Sequence, residues 1–232
     1  MQKNNKARIF ILGWTIFLVF SASEISAIEL FEDNKPQSTT DSCQSYSAVL
    51  ALASINDPIF PINNFEELRA AELGFRTILE SLPGDPELHT NWPEAMKRFT
   101  SNRYTFKLEY VKELSDWVNR ARSQTRSYSS LSNVIGSYSQ GEVVLTSVTG
   151  LAGSVYGGHI VSVLGVSGTG MNSNTRVMAF NSAIKGQGDS INRCSPGDQP
   201  GDYLYKAGVI ETKDFNFRDF GSGFLFMTLE RT

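Results

Sequence analysis

GGHIVSVLGV (157–166), GVSGTGMNSN (165–174) and NTRVMAFNS (174–182) follow one another in the second half of the chain. The outer two are β-branched, apolar runs of strand length, and the middle one is rich in Gly, Asn and Ser, which favour reversal. This order predicts a hairpin with a loose connection. Such a hairpin brings the end of its second strand, at Asn181, beside the start of its first, at His159. An Asn in that place can accept a hydrogen bond from the imidazole and set its tautomer and ring orientation. A single histidine heading a strand is more often a satisfied edge residue, so the pair gains meaning only with a nucleophile nearby.

Working outward, GEVVLTSV (141–148), YLYKAGVIE (203–211) and GFLFMTLE (223–230) are further strand-like runs bounded by turn residues. Upstream the period changes. Tyr46, Val49, Leu50 and Ala53 are helically spaced, with Asp41 or Ser42 placed to cap. DPIFPINN (57–64) breaks that helix, and Asn64 with Glu67 forms a capping-box variant for the next. Leu68, Ala71, Phe75, Ile78, Leu79 and Leu82 trace one apolar face. A short helix around Pro93–Phe99, an extended YTFKLEYV (104–111), and two short helices through Leu114, Trp117, Val118 and Ala121 and through Leu131, Val134, Ile135 and Tyr138 complete the first half. Helices first and strands after predict an α+β fold rather than alternating βαβ units. Trp92 and Trp117 read as core or cleft-edge aromatics, and His89, in a proline-flanked connector, reads as non-catalytic.

The 232 residues suit one large domain or two small lobes around a cleft, and a hydrophobic fraction of 41% is globular. The net charge of −3, without basic runs interleaved with aromatics, argues against a nucleic-acid partner. Lys3, Lys6 and Arg8 precede an apolar run, Ile9 to Phe20, that is short for a bilayer span, and Ala27 follows at a plausible cleavage position. Residues 1–27 therefore read as a signal peptide, the mature chain as exported (periplasmic or secreted) with no stable membrane span, and an uncut anchor as the competing reading. Two histidines and two cysteines, with no C-x-x-C pair, are too few soft ligands for a zinc site.

Cys43 and Cys194 are the only cysteines. In an oxidising compartment an even count favours pairing. Cys43, however, stands where a helix begins, and free amides and the helix dipole there stabilise a thiolate. Gln37, six residues earlier, could join the Cys43 backbone N–H as an oxyanion donor.

The run Gln37-Ser-Thr-Thr-Asp-Ser-Cys43-Gln-Ser-Tyr-Ser-Ala-Val49 resembles the active-site segment of papain-like cysteine peptidases. Tyr46, Ser47 and Ala48 match the aromatic, small and Ala positions that follow the Cys in that family. LSNVIGSYSQGEVVLTSV, GGHIVSVLGV and RVMAFNSA are similar to its helix and first barrel strand, its His strand and its Asn-Ser segment, and they occur in the same order. The resemblance implies a two-lobed catalytic domain over 28–232, with a helical lobe to about 138 and a β-barrel-like lobe from about 139. It implies a thiol protease cleaving a protein or peptide substrate through an acyl-enzyme, with no cofactor. Cys43 is then the nucleophile, His159 the base and Asn181 its orienter, with Gln37 an oxyanion donor. An amidase or acyltransferase with the same triad, or a silent binding module with a Cys43–Cys194 disulfide, are the alternatives.

The chain also departs from the family pattern. Ala183 stands where the family usually has a Trp over the His–Asn pair, and Gln44 where a Trp follows the Cys. The disulfides of the secreted members are missing, and the short stretch from Ile28 to Gln37 leaves no room for a long pro-region.

Overall fold

The described helices end by Gln124, all strands but one follow the last of them, and the two faces of one sheet account for most of the burial. The computed structural model describes residues 38, 42–55, 57–85, 89–125, 143–151, 154–168, 172, 174–182, 208–213 and 215–232. The stretch 1–27 read as a signal peptide, Gln37, the helix expected around Leu131–Tyr138, Ala183 and Cys194 lie outside them.

Helix α1 spans Cys43–Ile55 and is buried at every position except Gln44 and Ile55. A helix apolar all round belongs in a core. Its first backbone bond runs from the Tyr46 N–H to the Ser42 carbonyl at 2.8 Å, which makes Ser42 the N-cap residue. Helix α2, Phe65–Ser81, starts as expected: Asn64 Oδ1 accepts from the Glu67 N–H at 2.9 Å. The reciprocal bond is shifted by one residue, because Glu67 Oε2 accepts from the Asn63 N–H at 2.7 Å. Its buried stripe is Leu68, Glu72, Phe75 and Leu79, so a carboxylate occupies an apolar-face position. A 3-10 turn, His89–Asn91, leads into α3, Trp92–Phe99, and α4 spans Leu114–Gln124.

The strands are β1 Tyr104–Val111, β2 Val144–Leu151, β3 Ser154–Ser167, β4 Arg176–Asn181, β5 Gly208–Glu211, β6 Phe215–Phe217 and β7 Phe224–Arg231. Among the described residues they form one antiparallel seven-stranded sheet in the order β1-β7-β2-β3-β4-β5, with β6 also paired to β2. The fold is therefore α+β with mixed helices and antiparallel sheet. The sheet takes β1 from the stretch expected to form the helical lobe and pairs it along its whole length with β7, Tyr104 opposite Arg231 and Val111 opposite Phe224.

Side-chain alternation divides the sheet between two cores. Leu145, Ile160, Leu164, Met178, Phe180, Leu225 and Met227 pack with α1, α2 and α3. Val144, Val148, Val161, Val163, Val177, Ala179 and Phe226 pack with Trp117, Val118 and Ala121 of α4. Burying both faces accounts for strands that read as nearly continuous apolar runs. The β3–β4 connection turns at Gly168, whose φ of +88° is left-handed and where a Cβ would lie 2.8 Å from the Asn174 carbonyl oxygen.

Candidate active site

The expected hairpin is present. Ser162 lies opposite Phe180 and Ser167 opposite Arg176, so Asn181 follows on the rung beside Val161, diagonal to His159 on the same side of the ladder. His159 Nε2 lies 2.8 Å from Asn181 Oδ1, and both side chains are buried. An amide oxygen can only accept, so Nε2 carries the hydrogen and Nδ1 is the basic nitrogen of the neutral ring. Burial pushes the His159 pKa down to about 4, against the opposing effect of the Asn181 bond, which favours the charged ring. The imidazole is accordingly neutral at physiological pH.

Helix α1 is tied to this pair by the residues flanking it. Ser47, one turn beyond Cys43, donates its buried hydroxyl to the Ile160 carbonyl at 3.1 Å, and Ile160 follows His159. Tyr46 stacks on Phe180, which precedes Asn181, with centroids 6.3 Å apart and planes 12° from parallel. Burial raises the pKa of the Tyr46 phenol, and nearby Glu72 adds to the effect. Cys43 itself is the first residue of α1 and is buried. It is disulfide-bonded, and the only other cysteine in the chain is Cys194.

Further contacts frame the start of α1. The Ser38 N–H donates to both carboxylate oxygens of Glu72, at 2.9 and 3.2 Å, and the Ser38 and Ser42 hydroxyl oxygens are 3.4 Å apart. Gln44 Oε1 accepts from the buried Trp92 indole N–H at 3.1 Å, a partner 48 residues away. Trp92 in turn meets His89 edge-on at 6.1 Å, and His89 meets Phe220 at 5.4 Å. Burial, with help from the Arg218 charge, lowers the His89 pKa to about 4. Trp117 donates to the Leu225 carbonyl at 2.8 Å, so both tryptophans are core residues.

His159 and Asn181 are thus brought together, and the helix carrying Cys43 is packed against their strands. Gln37 falls outside the described residues, although the backbone that follows it is held at Ser38. Glu72 is not among the residues the sequence points to, and Ser47 is marked there only as the small residue after Tyr46. Glu72 had a readable signal, a charge in helical phase with Leu68, Phe75 and Leu79. Ser47 had none beyond being small, because its partner is 113 residues away. Among the described residues no cluster of His, Cys, Asp and Glu could hold a metal ion, and no helix is long and apolar enough to cross a membrane. Comparison of the chain with protein-family models, curated proteins and solved structures found no match.

Proposed function

We propose that this chain is an exported thiol hydrolase of papain-like type that cleaves peptide bonds through a Cys43 acyl-enzyme and is latent while Cys43 is bridged. The observation that carries the reading is the buried 2.8 Å bond from His159 Nε2 to Asn181 Oδ1, on strands tied to the helix that begins with Cys43.

In the reduced form Cys43 would share its proton with His159, and the helix amides would favour the thiolate. The thiolate adds to the substrate carbonyl carbon, and the carbonyl π electrons move to oxygen. The Cys43 N–H and the Gln37 amide receive that oxyanion. As the tetrahedral species collapses, the C–N bond breaks and His159 Nδ1 gives its proton to the departing amine. Water then loses a proton to His159 and displaces the thiolate from the acyl group. Activation requires an external dithiol reductant: its thiolate attacks the bridge to form a mixed disulfide, and its second thiol releases the remaining Cys as the reductant closes to a disulfide.

The bridge itself favours a second reading, a silent module that keeps the fold and uses the disulfide as a staple. Mass spectrometry after brief exposure to an epoxide inhibitor of papain-like enzymes separates the two. Hydrolase function predicts one adduct, on Cys43, only after reduction and absent in His159→Ala. No adduct on reduced, folded protein selects the silent module, and an adduct without reductant removes the latch. Products formed with an added amine acceptor would then distinguish an acyltransferase from a peptidase.

A further inference from the structure

Along α1 only Gln44 and Ile55 escape burial, and Gln44 directly follows Cys43. From its indole partner, Trp92, a row of rings runs on: His89 edge-on at 6.1 Å, Phe220 against His89 at 5.4 Å and Tyr110 against Phe220 at 5.5 Å. Trp92 is fully buried, whereas His89 and Phe220 are half-buried and Tyr110 is exposed. Arg218 stands over Phe220, its guanidinium carbon 4.6 Å from the ring centroid. A guanidinium stacked on a ring keeps its N–H fork for a carboxylate. Among the described residues no acid takes it, and neighbouring Asp219 accepts instead from the Gly221 N–H at 2.8 Å. His89, kept neutral at neutral pH by burial and by the Arg218 charge, adds no second cation.

The loop that carries Arg218 and Phe220 is held firmly beside the proposed active site. The Arg218 N–H donates to the Ser147 carbonyl at 2.9 Å, and the Phe220 N–H to the Gly223 carbonyl at 3.1 Å. Gly223, with φ +126°, lies so close to β1 that a Cβ would stand 2.5 Å from the Val111 carbonyl oxygen. Val148 pairs with His159 on one side and with Phe217 on the other, so the residue before Arg218 shares a rung with the histidine. Two strand spacings of about 4.8 Å put the backbone entering Arg218 about 10 Å from that of His159. The ring row thus starts next to Cys43, and its cation sits two strands from His159.

We infer that Arg218 is a specificity-determining residue that takes the carboxylate of an acidic side chain in the peptide substrate, whose apolar neighbours lie along His89, Phe220 and Tyr110. The role rests on the peptide-bond hydrolysis proposed above and adds a substrate class, peptides with an acidic residue at a fixed distance from the bond that is cut. A planar guanidinium matches both oxygens of a carboxylate, and the rings beside it lower the local dielectric and strengthen the pair.

The probes are octapeptides with one Phe and one Glu at varied separation, and the same peptides with Gln in place of Glu. They are given to the reduced protein, and cleavage is followed by mass spectrometry. At one separation the Glu peptide should be cut roughly 10-fold faster than its Gln counterpart, the weight of a charged hydrogen bond. The difference should lie in KM, as expected of binding shared by ground and transition states. Arg218→Gln should bring the ratio near one, and Arg218→Glu should turn it in favour of the Gln peptide. Each ratio is taken within one protein, so partial unfolding lowers both rates and leaves the ratio readable; if Arg218→Glu fails to fold, Arg218→Gln decides. Equal cleavage of Glu and Gln peptides at every separation, or a preference that survives Arg218→Gln, overturns the role and leaves hydrolysis standing. So does an epoxide adduct on Cys43 without cleavage of any peptide, as far as peptide selection is concerned. Wild type that cuts no peptide and takes no adduct after reduction sinks the proposed function, and the role with it.

Discussion

His159 shows how one buried ring joins stability to chemistry. Its pKa in the folded protein is near 4, set first by burial, whereas the ring in an unfolded chain keeps its ordinary 6.5. Between those values the unfolded chain binds a proton that the native state does not, so the contribution of His159 to stability is full above pH 6.5, falls on acidification, and is gone below about 4. At about 1.36 kcal/mol per pH unit the loss approaches roughly 3 kcal/mol. His89 titrates in the same direction, so the effect should be read in a His89→Gln background. Urea unfolding of the bridged protein at pH 7.5 and 4.5 is expected to show this loss, and His159→Gln should flatten it. A slope that survives His159→Gln would mean that other groups govern acid lability. Asp57, whose carboxyl is held low chiefly by the Tyr104 hydroxyl, does not contribute to this window, since it protonates below the ordinary carboxylate range.

The β3–β4 hairpin was legible because its two halves are apolar runs divided by Gly and Asn, and the same grammar marked β2, β5 and β7. β6 was not, because Phe215-Asn-Phe217 is three residues long and pairs alongside β2, away from the main strand path. Capping at Asn64 could be read locally, since donor and acceptor are three residues apart. The Glu72–Ser38 and Gln44–Trp92 bonds could not, because no local period records a partner 34 or 48 residues away. Register within the hairpin depends on its turn. Gly168→Ala would place a methyl group 2.8 Å from the Asn174 oxygen in a left-handed conformation. A loss of more than about 1 kcal/mol is expected by chemical denaturation. Any surviving fold should show a weakened His159–Asn181 bond as a change in the imidazole nitrogen shifts. An unchanged melting curve would show that the loop absorbs the residue.

At the scale of the molecule, helix and strand content followed from composition and period, but the pairing of β1 with β7 did not. It joins the middle of the chain to its far end, with Tyr104 and Arg231 127 residues apart. β7 also pairs with β2, so it sits inside the sheet between two strands made long before it. A chain ending at residue 223 would leave both neighbours with open edges and remove Leu225, Phe226, Met227 and Leu229 from the two cores. Such a chain is expected to show no cooperative unfolding transition, and supplying the missing strand as a separate peptide should restore one. A truncated chain that melts cooperatively by itself would mean that β7 is dispensable.

That position of β7, between β1 and β2, also sets a clock. While residues 104–223 leave the ribosome, β1 and β2 each lack the neighbour that will lie between them, and contacts of such long sequence separation close slowly. The β1–β7–β2 part of the sheet therefore closes only once residue 231 has been made, whereas the β3–β4 hairpin can pair before it.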